Sequence, residues 1–217
     1  MDQEQSDLCN EEIARPPTII YLSLFFLLVC LHSLGAKYFV FSYPIVPGVS
    51  SFYLIVAFMI VCALWFGMWG VFAAYFGCVI GAGILSGLPL DVSLYWSVAD
   101  LLQAFIPLIA FRYFHADPVL QTWHDLMVFM IFGVILNNLA GAIWGAFTLE
   151  IGGIISSAQL FNTMGSWFIV NIIVSGCIAP FLLYFVTPWM KTQDLYQGVK
   201  PLPSCYLKKH TFNKIRS

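Results

Sequence analysis

The sequence predicts an all-α membrane protein, a bundle of six transmembrane helices with both termini in the cytoplasm. Three observations carry this expectation. Hydrophobic residues make up 60% of the chain and charged residues only 9%, against about 25% charged in a soluble domain. The mean hydropathy of +0.86 is too high for a soluble core of this size. Apolar residues also gather into stretches long enough to cross a bilayer, which takes about 20 residues of helix, and basic residues collect on one side of those stretches.

The six expected spans are roughly Thr18–Ala36, Phe52–Gly67, Trp69–Leu85, Val92–Tyr113, Leu126–Leu149 and Trp167–Trp189. The Pro16-Pro17 pair introduces the first. Phe52–Leu85 is one apolar block, too long for a single span, and Phe66-Gly67-Met68-Trp69-Gly70 is the natural place for a tight turn. The chain thus divides into an acidic tail (1–17), a membrane domain (18–190) and a basic tail (191–217). Asp2, Glu4, Asp7, Glu11 and Glu12 make the start acidic where a signal peptide is basic, so the first apolar run is expected to be retained.

Orientation follows from Lys and Arg near the span ends. Six of the nine basic residues lie after the sixth span: Lys191, Lys200, Lys208, Lys209, Lys214 and Arg216. With six spans, these fall on the same inner side as Arg15 and Arg112, and Lys37 alone falls outside. The outer loops are then Lys37–Ser51, Ser86–Asp91 and Glu150–Ser166, rich in Pro and Gly, with a polar run Ser156-Ser157-Ala158-Gln159 in the third. The tail after Lys191 is too short for a kinase or cyclase output domain.

Several function classes lose support. The six cysteines (Cys9, Cys30, Cys62, Cys78, Cys177, Cys205) form no CxxC pair, so neither a zinc site nor a disulfide framework is implied. His32, His115, His124 and His210 are scattered, without metal-ligand spacing. No P-loop, nucleophile elbow, HExxH motif or CaaX terminus is present. We therefore expect no enzyme, no cofactor, no metal site and no nucleic-acid partner.

Asp100 is the most informative residue. A carboxylate near the centre of a spanning helix costs about 2.5–3.5 kcal/mol on insertion scales, and the default reading is functional. It lies about 12 Å below the outer end of its helix, at 1.5 Å per residue from Val92. Gln103 shares its face, three residues on. Asn137 and Asn138 sit midway along the fifth span and Asn171 in the outer part of the sixth. A contact between Asp100 and one of these amides is expected. Asp91, Tyr95, Trp96, Trp144, Glu150, Asn162 and Trp167 form a second group nearer the outer surface. Trp167 reads as an interfacial belt residue, and Trp96 and Trp144 as belt or ligand-stacking residues. The candidate ligand-binding set is Asp100, Gln103, Asn138 and Asn171, with Trp96, Trp144 and Glu150 nearer the mouth.

Small residues at Gly70, Ala74, Gly77 and Gly81 share one face of the third span, and Gly77–Gly81, Gly83–Gly87 and Gly141–Gly145 have GxxxG spacing. Packing within the bundle is the favoured reading; the same faces could dock a partner.

The stretch Val46–Phe114 carries a Pro-Gly loop, an apolar helix, Trp69-Gly70 opening a small-residue helix, Ser86-Gly87-Leu88-Pro89, and a helix ending in Arg112. This order resembles the S components of energy-coupling-factor transporters. It is also similar to the membrane-associated sensor domains of bacterial histidine kinases and diguanylate cyclases, which Trp167–Pro180 resembles more. The S-component likeness implies a six-helix protein of the cell membrane. Such a protein captures a vitamin, cofactor precursor or metal ion from outside, for a separate coupling subunit and ATPases. S components often carry an AxxxA-like docking pair in the first helix. Thr18–Ala36 has Leu and Phe instead, which leaves the Gly70–Gly81 face for docking. The alternatives are a standalone sensor-like domain signalling through a partner, and a structural subunit of a membrane complex.

Overall fold

The computed structural model describes residues 18–38, 44–46, 49–50 and 53–198. The acidic tail, most of the first outer loop and the tail beyond Gly198 lie outside the described residues.

The described chain is helical apart from one small hairpin. Helix α1 is Thr18–Tyr38; strands β1 (Pro44–Val46) and β2 (Val49–Ser50) pair antiparallel, with Pro44 opposite Ser50. Helix α2 is Ile55–Phe66, and α3 is Met68–Cys78, prolonged by a wide π turn (Val79–Gly83) and a tight 3-10 turn (Ile84–Ser86). Helices α4 (Leu90–Trp96) and α5 (Val98–Tyr113) form one rod with a joint at Ser97. Helix α6 (Trp123–Val128) runs through a π-helical stretch, Phe129–Leu136, into α7 (Asn137–Ile151), and α8 is Ser157–Met190.

Five of these rods are long and apolar enough to cross a membrane: Ile19–Tyr38, Met68–Ser86, Leu90–Tyr113, Trp123–Ile151 and Ser157–Met190. The expected second span is the exception. The 12 residues of α2 rise about 18 Å, against a hydrocarbon core of about 30 Å. All of them except Phe58 are buried, and a helix that is apolar all round belongs inside protein. The other helices, not lipid, surround α2.

The one-residue connection between α2 and α3 is at the expected tight turn. Gly67 takes φ +61°, a conformation that L side chains rarely adopt. Three residues on, a Cβ at Gly70 would lie 2.3 Å from the Cys62 carbonyl oxygen, so only glycine lets α3 leave so close to α2. The rest of the small-residue face meets α1: a Cβ at Gly77 would strike His32 and one at Gly81 the backbone of Ser33. The Gly70–Gly81 face is therefore filled from within the chain. This is the favoured packing within the bundle, and it leaves that face no room for the alternative, a docked partner.

These contacts also give the helix directions. Tyr21 stacks on Trp69 at 6.0 Å and the Lys37 amine donates to the Leu85 carbonyl at 2.7 Å, so α1 and α3 run parallel, with α2 reversing between them. Gln103 meets Asn138 and Gly152 lies against Val92, so α7 runs opposite to α4–α5. Asn138 meets Ser175 and Gly145 lies against Trp167, so α8 reverses again. One end of the bundle gathers Lys37, Asp91 and the Gly152–Ser156 turn. The opposite end gathers Gly67, Arg112, Asp117, Asp125 and Lys191.

Two helix starts lie earlier than expected. Helix α8 begins at Ser157, ten residues before Trp167, because the polar run is a cap and not a loop: the Gln159 side-chain oxygen accepts the Ser156 N–H at 2.9 Å. Helix α6 begins at Trp123 behind a reciprocal Thr122–Asp125 capping box. Hydropathy marks the part of a helix suited to lipid; polar first turns outside that part leave no such signal.

Candidate functional site

Of the buried polar side chains among the described residues, Gln103, Asn137, Asn138, Asn171 and Ser175 converge on the seam between α5, α7 and α8. The helix period sets the convergence. Trp96 and Gln103 are seven residues apart, about 20° from alignment at 100° per residue, so both face α7 and α8. Gly141 makes the approach possible: a Cβ there would lie 2.4 Å from the Gln103 side chain. Gln103 Nε2 donates to Asn138 Oδ1 at 2.6 Å. Asn138 Nδ2 donates to Ser175 Oγ and to the Val134 carbonyl, both at 2.8 Å. Ser175 Oγ donates back to the Asn171 carbonyl at 2.6 Å. Asn137 Nδ2 reaches the Gln103 carbonyl at 3.3 Å.

The other half of the seam is aromatic. Trp167 lies one turn before Asn171, and its ring is seated against Gly145. It meets Trp96 edge to face at a centroid distance of 5.8 Å. The side chains thus form a closed ring: Trp96, Trp167, Asn171, Ser175, Asn138, Gln103 and, two turns back along α4–α5, Trp96 again. Every step is a contact or one or two helical turns.

Asp100 lies on the same helix, three residues before Gln103, and is only 2% exposed. The expected contact with an amide is not among its hydrogen bonds. The Tyr53 hydroxyl, from the residues leading into α2, donates to Asp100 Oδ2 at 3.0 Å, and the Cys78 thiol lies beside the same carboxyl. The reason is angular. Three residues advance about 300° around the helix, which leaves Asp100 and Gln103 about 60° apart. Gln103 therefore turns to α7, and Asp100 turns to α2 and α3.

Three atoms of the ring are buried without a hydrogen-bond partner: Trp96 Nε1, Gln103 Oε1 and Asn171 Nδ2. Asn137 Oδ1, next to the ring, is a fourth, and His32 Nε2, elsewhere between α1 and α3, is a fifth. Leaving such a group unpaired in a low-dielectric interior costs about 1–3 kcal/mol. The ring thus holds two idle donors and an idle acceptor.

Four of the seven candidate binding residues come together here: Gln103, Asn138, Asn171 and Trp96. Asp100 faces Tyr53 and Cys78 instead, and two others lie elsewhere. Trp144 is 41% exposed and its indole donates to the Tyr95 carbonyl at 2.7 Å, pinning α4 to α7 from outside. Glu150 accepts from Ser157 Oγ at 2.6 Å and ties the α7–α8 turn. Trp167 corrects the belt expectation, since it is only 6% exposed. Ser175 was legible as a polar residue four beyond Asn171. Tyr53 and Cys78 carried no signal, because nothing in sequence pairs a loop tyrosine or an apolar-span cysteine with a carboxylate on another helix.

The opposite end of the bundle holds a second polar group. Asp125 accepts from the Asp117 N–H at 2.8 Å, the Thr122 N–H at 3.1 Å and the Thr122 hydroxyl at 2.7 Å. Lys191 pairs with Asp117 at 2.6 Å. The N–H groups of Gln197 and Gly198 both donate to the Trp65 carbonyl, at 2.9 and 3.0 Å, and the Trp65 indole donates to Thr187 Oγ1 at 3.0 Å. The segment after α8 thereby straps the end of α2. Burial, and then the nearby Asp117 charge, hold the Tyr196 phenol protonated above its ordinary range.

Among the described residues, no group of three or more His, Cys, Asp or Glu side chains could hold a metal ion. No family model matches this sequence, and no curated protein and no solved structure matches it.

Proposed function

We propose that this chain is a six-pass membrane protein, with α2 as the short second pass, and that it binds a small solute from the outer side. In this reading it serves uptake as an S component does, handing the solute on with a separate coupling subunit and ATPases, and is itself no enzyme. The orientation rests on charge: Arg112 and Lys191 share the end that the positive-inside rule makes cytoplasmic, with Lys37 at the other. Asp100 and the ring then belong to the outer half of the bundle. Contact with a coupling subunit falls to a lipid-facing surface, because α1 fills the glycine face of α3.

The observation that carries the reading is the set of unpaired atoms in the ring. A strut between helices gains nothing from idle donors and acceptors, whereas a binding site needs them free for its ligand. Among the described residues, no second buried acid lies between Asp100 and the Asp117 end within the membrane region, so the arrangement suits a solute pocket better than a proton path across the membrane.

The test is a thermal-shift screen of the detergent-purified full chain against vitamins and cofactor precursors. At least one compound should stabilise the protein, and Asp100→Asn should abolish that shift while moving the unliganded stability by less than about 1 kcal/mol. A shift that survives both Asp100→Asn and Trp96→Phe, or no shift across the panel, rejects the reading.

A further inference from the structure

The strap end of the bundle gathers basic residues that the fold does not neutralise. We infer that this end docks on the anionic lipid headgroups of the cytoplasmic leaflet, through Arg112 and the basic segment 199–217, whose root the strap fixes beside Arg112. The choice of leaflet rests on the charge-based orientation proposed above; the docking itself needs neither that orientation nor a solute.

The fold decides where the basic segment starts. The Gln197 and Gly198 N–H groups donate to the Trp65 carbonyl at 2.9 and 3.0 Å, and Tyr196 just before them is buried. The Arg112 guanidinium lies beside this strap: a Cβ at Gly67 would be 3.1 Å from it and 3.4 Å from Gln197 Oε1. Aromatic rings mark the same end as the membrane–water boundary. Tyr113, Trp123 and Trp189 are all exposed there, and such rings settle at headgroup level. Lys200 follows Gly198 by two residues, so it starts within about 7 Å of the strap. That is inside the screening length of about 8 Å at physiological salt.

The charge offered here is of one sign. Residues 199–217 contain Lys200, Lys208, Lys209, Lys214 and Arg216, and no Asp or Glu. Among the described residues Arg112 makes no ion pair, whereas Lys191 is held by Asp117 and so contributes little. Each Lys or Arg near an anionic bilayer strengthens attachment by about fivefold. Tyr206, Leu207, Phe212 and Ile215 are interleaved with the charges. Apolar side chains can enter the acyl boundary, and the two signals together anchor better than either alone.

The chain contains one rival for these charges. Asp2, Glu4, Asp7, Glu11 and Glu12 precede α1, and Tyr21 near the start of α1 stacks on Trp69 at this same end. Ion pairs between exposed side chains contribute little, however, because each must order two long side chains in screened solvent. A leaflet presents a continuous plane of headgroups and asks only the basic segment to settle on it. Charge complementarity therefore favours the lipid surface.

The test is spin-label EPR of the full chain in phosphatidylcholine bilayers, with trace spin-labelled phosphatidylserine or phosphatidylcholine as probe. Association at the protein should favour phosphatidylserine by at least about threefold, and the preference should fall toward one in about 0.5 M NaCl. The combined variant Lys200→Gln, Lys208→Gln, Lys209→Gln, Lys214→Gln and Arg216→Gln should lower the preference at least about twofold, and adding Arg112→Gln should lower it further. A preference near one, or one that survives high salt and all six substitutions, overturns the inference. A preference near one that rises when the five acids before α1 are replaced by their amides also overturns it, and assigns the basic segment to the acidic one. Both leaflets of these bilayers are alike and no solute is present, so failure here leaves the proposed function standing.

Discussion

The ring around Gln103 and the strap end around Asp125 are both clusters of polar side chains in an apolar protein, and the fold treats them differently. At the strap end, Asp125 accepts three hydrogen bonds, Asp117 holds Lys191, and Thr187 receives the Trp65 indole. None of the described buried side chains in that group is left without a partner. In the ring, by contrast, Trp96, Gln103 and Asn171 each keep one buried atom idle. A fully satisfied network fixes geometry and contributes stability; a partly satisfied one is costly unless something else completes it. The contrast separates a clamp that holds three chain segments together from a partly satisfied ring, the feature on which the proposed solute site rests.

Substitutions at the two ends should therefore differ in sign as well as size. Asp125→Ala should have the largest effect. It removes the α6 capping box and the Asp117 tie together, and we expect a loss of about 2–3 kcal/mol, read from unfolding in mixed micelles. A loss near zero would mean that the strap end is not a clamp. Asn171→Leu should act in the opposite direction. It deletes an idle buried amide, so the unliganded protein should gain about 1 kcal/mol while ligand stabilisation disappears. A loss of stability comparable to that of Asp125→Ala would make the ring a strut as well, and the comparison would collapse. Lys191→Gln should matter least, below about 1 kcal/mol, because both partners of that ion pair are substantially exposed. Its effect should shrink further in high salt, whereas that of Asn171→Leu should not.

Much of the fold could be read from the chain. Long apolar runs give five of the helices, and Gly67 gives the reversal between α2 and α3. The reading was weaker at α2, which composition treats as one more span although it is too short to cross alone. It was weaker again at the start of α8, where a polar capping run looks like loop. At the site, the spacing of Asp100 and Gln103 suggested one shared face, but Gln103 turns to α7 and Asp100 to α2 and α3. The partners were not legible. Asp100 meets Tyr53 instead of an amide, Trp167 is buried where a belt was expected, and Trp144 and Glu150 fasten the outside of the bundle.

The sequence by itself determined that this chain belongs in a membrane, roughly where its helices run, and which few polar residues are expensive to bury. These are properties of local composition and of the 3.6-residue period, which no distant contact has to supply. Only the tertiary structure decided which of those residues meet. Which way a side chain points into the bundle depends on the rotation of each helix about its own axis, and packing against neighbours sets that rotation. Gly70, Gly77, Gly81, Gly141 and Gly145 fix the approach of α3 to α1 and α2, and of α7 to α5 and α8. From that approach come both the closed polar ring and the atoms it leaves free.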